Sequence, residues 1–137
     1  MTKERLRHYR DIKKESEQLR QSLEEIETVL FYPKTQRLTG MPSNPSEENY
    51  MEDLAIRHIG LQALYKDKLA ELEAEQIAIE KAIEALDPMA RMLLRYRYIS
   101  GLSWEEVCVK MNYSWRQTHR LHGEALNKLR ELEENEP

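Results

Sequence analysis

Cysteine occurs once in the 137 residues, at Cys108, so no disulfide can form within the chain. Cys108 falls on the apolar face of a short predicted helix and reads as a small core residue; a redox role would need exposure and a lowered pKa. Four glycines and five prolines are few for this length, and with aromatics at only 7% the composition is that of a helix-rich, soluble chain. No apolar run approaches the roughly 18 residues that span a bilayer. The first residues, Met-Thr-Lys-Glu-Arg-Leu-Arg-His, lack the apolar segment of a signal peptide, so a cytoplasmic location is expected. There is no glycine-rich phosphate loop, no Ser-His-Asp order and no Cys-His cluster. His119 and His122 stand three apart with no third ligand placed beside them. An enzyme is therefore not expected, nor is a cofactor or a metal. No stretch alternates with the period of a strand, and no internal repeat is present.

Charge is abundant, at 34% of residues, and unevenly placed. The net charge is −4, yet residues 87–130 carry eight Lys and Arg against four Asp and Glu. An acidic chain with a locally basic segment can still bind phosphate, because those contacts depend on the local patch.

The amino-terminal part carries a narrow apolar stripe. Tyr9, Ile12, Ser16, Leu19, Leu23, Ile26 and Leu30 alternate three and four apart, an a/d seam over three heptads that predicts a helix from about Thr2 to Phe31. Such a stripe needs a partner, because one helix cannot bury it alone. The stretch 32–46 holds three prolines and a glycine and reads as a loop, with Lys34 and Arg37 more simply solvated than bound to phosphate. Ser46 with Glu47 and Glu48 reads as the start of a second long helix running to about Leu86. Leu54, His58, Leu61, Tyr65, Leu69, Leu72, Gln76, Ile79, Ile83 and Leu86 form its stripe. His58 and Gln76 are polar seam positions that fix register, with no ligand-like neighbours to make His58 a metal site. Two such helices suggest an antiparallel hairpin, an intermolecular coiled coil, or both.

The most informative stretch is 87–130. Asp87-Pro88 is an N-cap followed by proline at the first helical position, opening a helix that ends near Ser100-Gly101. Ser103 with Glu106, and Ser114 with Gln117, are capping boxes that open a short and a longer helix. Trp104, Val107, Cys108 and Met111 make one face of the short helix, and Asn112-Tyr113 is the turn between the two. On the longer helix Thr118, Leu121, Ala125 and Leu129 form the expected core face, and Trp115, Arg116, His119, Arg120 and His122 the opposite one. Gly123 within it predicts a close packing contact or a bend. Tyr96 and Tyr98 lie among Arg91, Arg95 and Arg97, so half of that set must face the core. The layout is that of a helix-turn-helix, and an arginine-rich helix face has the chemistry to meet base edges and phosphates.

The segment LDPMARMLLRYRYISGLSWEEVCVKMNYSWRQTHRLHGEALNKLR resembles the promoter-reading fourth region of bacterial sigma factors, over about a third of the chain. With long helices ahead of it, the whole chain looks like the small phage late-gene regulators of the ArpU and RinA type. The resemblance implies an all-α fold: residues 1–86 as a long-helix hairpin or coiled coil that oligomerises, and 87–137 as a trihelical helix-turn-helix domain. Carried over by position, Trp115, Arg116, Gln117, His119 and Arg120 would face DNA. Trp115 departs from the pattern, which usually has a basic or small polar residue there. Nothing upstream resembles the promoter-melting region, so a complete sigma factor is not expected. The implied partners are double-stranded DNA, host RNA polymerase and a second copy of the chain in a dimer. Two alternatives stand beside this: a small terminase-like subunit that recognises DNA for packaging, and a module that binds polymerase and leaves DNA alone.

Overall fold

The computed structural model describes residues 1–32 and 45–136; Lys34 and Arg37 lie outside the described residues. Five α-helices carry the described chain: α1 (Lys3–Phe31), α2 (Pro45–Ile83), α3 (Pro88–Leu94), α4 (Trp104–Met111) and α5 (Trp115–Glu134). No strand occurs among the described residues. Two of the expected boundaries move. α2 begins at Pro45, with Glu47 and Glu48 in its first turn, so Ser46 lies inside the helix; and it stops at Ile83, before Leu86.

The chain divides into two compact units, residues 1–13 with 71–137, and residues 14–70. The expected division at residue 86 is not where this boundary falls. Ends of both long helices share a core with the short ones, for a simple reason. Leu6, Tyr9, Ile79 and Ile83 are each at most 2% exposed, and they pack with Leu93, Leu94, Tyr98, Val107, Ala125 and Leu129 in one cluster. Three short helices cannot enclose that much apolar surface by themselves, and the long helices supply the missing wall.

Within each unit α1 and α2 run in opposite directions along one chain. In the first unit, Arg5 Nε lies 3.1 Å from Glu75 and His8 3.8 Å from Glu71, while the Tyr9 hydroxyl donates to Gln76 at 3.4 Å. Gln76 thus answers a core tyrosine from its seam position. In the second unit, Lys68 lies 3.0 Å from Glu15. There His58 is buried, with Nε2 3.0 Å from Glu27 Oε1 and its ring edge-on to Phe31. Leu69 departs from the expected stripe and is exposed.

α3 starts as its Asp-Pro predicts, with Asp87 extended and Pro88 in the first turn, although the Asp87 side chain makes no cap bond. Arg91 turns back instead and donates to the carbonyls of Glu84 and Leu86 at 3.2 and 3.0 Å. Those groups follow the end of α2 and have no helical partner, which is the usual need at a helix terminus. Past Leu94 the helix widens into a π-turn over Arg95–Ile99, marked by the Ser100 amide donating to the Arg95 carbonyl at 2.8 Å. One extra residue per turn changes which side chains face inward. Tyr98 is buried and Tyr96 half-buried. Arg95 is directed outward to Glu80, with its Nη2 2.7 Å away, and the Lys13 ammonium donates to the Ile99 carbonyl.

α4 closes at Asn112, which takes the left-handed conformation at φ 56°, ψ 42°. Asparagine tolerates that region because its short polar side chain bonds locally. Cys108 is half-buried rather than enclosed. α5 then runs unbroken through Gly123, and a Cβ built there meets nothing within 4 Å. The expected packing contact at Gly123 is absent. Its cost remains, roughly 1 kcal/mol relative to alanine in a helix interior. Gly123→Ala is therefore expected to raise stability by about that amount, measured as a higher midpoint in thermal or urea unfolding; a lower midpoint would mean the position is not open space.

Candidate nucleic-acid interface

The amino-terminal half of α5 is fixed before it touches anything else. Ser114 is extended, and its hydroxyl accepts from the Gln117 amide at 3.1 Å. The Gln117 side chain in turn accepts from the Ser114 amide at 3.1 Å, completing the capping box. Ser103 likewise accepts from the Glu106 amide at 3.2 Å and opens α4. Each cap contributes about 1 kcal/mol by satisfying an orphan amide. Between the two helices the chain turns at Asn112; Ala125 and Leu129 of α5 join Val107 and Met111 of α4 in the shared cluster, and Thr118 on the same α5 face is fully buried.

This anchoring decides which α5 residues face outward. Trp115 is 53% exposed, and Arg116, Gln117 and Arg120 are all exposed. Arg116, Arg120, Gly123 and Asn127 follow one another at i, i+4, i+7 and i+11, a single outward strip. The Arg120 side chain, 75% exposed, has only a 3.8 Å pairing with Glu124 on its own helix. An exposed i,i+4 pair of that length is weak and leaves the guanidinium available. Gln117 is exposed but its carbonyl oxygen is already engaged in the cap.

Three sequence expectations need correction. His122, expected on the outward face, is 6% exposed, and its Nε2 lies 2.8 Å from the Tyr98 hydroxyl. It follows Thr118 by four residues and so shares the core face; its polarity hid that placement. His119, expected beside the arginines, is half-buried between two indoles, 4.5 Å from the Trp104 ring and 4.4 Å from Trp115. It spaces the tryptophans and supports Trp115 from beneath. Leu121, expected in the core, is half-buried at its margin.

Trp104 is the centre of this aromatic group. His119 and His122 contact its ring, and the Arg97 guanidinium lies 4.5 Å from its centroid. A cation over an indole face is attracted by the ring quadrupole. Arg97 also donates from Nη1 to the Leu102 carbonyl at 3.0 Å, so the π-turn, the loop after it and α4 are joined through one side chain. Its burial holds the Arg97 pKa below the usual arginine value, and the charge of Arg10 adds to the effect. The sequence offered no sign of this placement, since Arg97 depends on the π-turn for its direction. Three nitrogens near these groups, Arg10 Nε, Arg97 Nε and His119 Nε2, are buried without a hydrogen-bond partner. Each such atom costs about 1–3 kcal/mol.

No group of three His, Cys, Asp or Glu among the described residues is placed to hold a metal ion, and no helix among them is long and apolar enough to cross a membrane.

Burial pushes the His122 pKa down to about 4, helped by the positive charges of Lys3, His119, Arg97 and Arg7. The folded protein thus holds His122 neutral and hydrogen-bonded to Tyr98, while the unfolded chain protonates near the ordinary value of about 6.5. The folded pKa is the lower one, so the stabilisation is complete above about pH 6.5 and is lost as pH falls toward 4. Thermal melts of wild type and His122→Gln between pH 7 and 4.5 are expected to converge as the pH drops, since glutamine can accept from Tyr98 without taking a proton. Parallel curves would show that His122 carries no such linkage.

No protein-family model, curated protein or solved structure matches this chain, and what the site does is read from its geometry.

Proposed function

We propose that this chain is a sequence-specific DNA-binding transcriptional regulator of phage type. In this reading α4, the Asn112 turn and α5 act as a helix-turn-helix, with α3 completing a trihelical module of the sigma region-four kind. The observation that carries it is the outward strip of α5: Arg116 and Arg120 project into water from a helix whose position is fixed by a capping box and a buried core face. A rigid helix presenting two solvent-exposed guanidinium groups suits the major groove, where arginine reads guanine O6 and N7. Trp115, supported by His119, offers an apolar plate to a thymine methyl or a sugar. Gly123 lies on the same strip with open space over it, which lets a nucleic-acid backbone approach closely.

In this reading the long helices serve a second purpose. α2 carries apolar side chains on the side away from Leu54 and His58: Ile56 is 68% and Ile59 66% exposed. Such residues favour association with a second copy or with RNA polymerase. The same surface also supports the packaging alternative, in which a small terminase-like subunit assembles into a ring. Mass by light scattering separates the two. A dimer is expected for the regulator, and a ring of eight or more would replace it with the packaging role.

The groove assignment is tested by selection of bound sequences from random duplexes, followed by variants. Arg116→Ala and Arg120→Ala are each expected to weaken binding by roughly 1–3 kcal/mol and to relax preference at one base pair. Unchanged affinity in both would remove α5 as the reading helix.

A further inference from the structure

Lys3, Arg7 and Arg10 occupy positions i, i+4 and i+7 of α1 and line one edge of it, beside the inward-facing Leu6 and Tyr9. Their charges bear on the C-terminal helices. Lys3 and Arg7 act on His122, and Arg10 and Arg7 act on Arg97. The geometry brings the same elements together: Lys13 of α1 donates to the Ile99 carbonyl of the π-turn, and Arg97 of that turn lies on the Trp104 ring.

Folded chains usually offset such a set of cations with carboxylates. Two acids of α2 are committed elsewhere, Glu75 to Arg5 and Glu80 to Arg95. Glu105 bears on Arg97, and its effect is the last of those acting there. The geometry adds an independent sign. Arg10 Nε and Arg97 Nε are both buried without an acceptor. A guanidinium Nε is a donor only, so each nitrogen is left with an N–H and nothing to receive it. Buried donors of this kind call for an ion or an unseen partner. Repelling cations with unused N–H groups fit an oxyanion that presents several oxygens, and the planar fork of arginine matches phosphate.

We propose that Arg7, Arg10 and Arg97 form an oxyanion site for a phosphodiester of duplex DNA, a backbone contact made by the first turns of α1 together with the π-turn. This rests on the reading of α5 as a DNA-facing helix and extends the footprint beyond it. Such a contact positions the protein on the duplex without reading sequence. It also gives the amino-terminal helix a role besides association.

The test uses the full chain, labelled with ¹⁵N so that arginine Nε–Hε signals are visible, and a duplex of random sequence. Adding duplex is expected to shift the Arg10 and Arg97 signals. The double variant Arg7→Ala with Arg10→Ala is expected to melt no lower than wild type, because it removes an unpaired donor and two like charges. Its slope of log affinity against log salt should fall by roughly 0.9, the amount for one phosphate no longer neutralised. If that slope stays unchanged while Arg116→Ala still weakens binding, the oxyanion site is wrong and the α5 reading stands. If the Arg10 and Arg97 signals move while Arg116→Ala and Arg120→Ala bind normally, the site stands and the α5 reading fails. A shift with polyglutamate and none with duplex overturns the phosphodiester assignment, and stationary signals with either overturn the site altogether.

Discussion

Leu6 and Tyr9 on one long helix, and Ile79 and Ile83 on the other, have to be covered, and the short helices are what cover them. The rest of the molecule follows from that shared apolar surface. α3, α4 and α5 together are too small to close a core, so they borrow a wall from α1 and α2. In return, the long helices bury the ends of a stripe that neither could bury alone. Because Thr118, His122, Ala125 and Leu129 are drawn into this core, Arg116 and Arg120 are turned outward. The direction of the exposed arginines is thus set by residues on the other side of their own helix.

Inside that core sits a polar pair that has no water to fall back on. His122 and Tyr98 satisfy one another across 24 residues of sequence, and Trp104 packs against the histidine edge. A neutral imidazole suits this place, since positive charges from Lys3, His119, Arg97 and Arg7 all disfavour its protonation. The aromatic group that supports Trp115 therefore stands on a histidine that must stay uncharged. Fold and candidate interface are coupled at that point.

How much of this was legible beforehand depended on the range of the interaction. Capping boxes involve residues three apart. The one expected at Ser114 is complete in the structure, while at Ser103 the serine accepts from the Glu106 amide but the Glu106 carboxylate takes the serine hydroxyl rather than its backbone amide. The all-helical class followed from apolar spacing, which is equally local. His122 was misplaced because a histidine counts as polar, although its four-residue spacing from Thr118 put it on the core face. Gly123 was assigned a packing neighbour that it does not have. The placement of Arg97 over Trp104 required the π-turn, which has no signature in the spacing. The bond from Lys13 to the Ile99 carbonyl joins positions 86 apart, and no periodicity within α1 could have announced it.

The widened turn at Arg95–Ile99 carries an evolutionary consequence. It holds one residue more than a regular helix would need there, as if a single codon had been inserted and kept. Loss of that residue would restore an ordinary ladder and rotate everything after it by about 100°, carrying Tyr98 away from His122 and Arg97 away from Trp104. The region should therefore tolerate substitutions far better than changes of length. Among diverging descendants of this chain, the count of residues between Pro88 and Ser103 should outlast the identity of most of them.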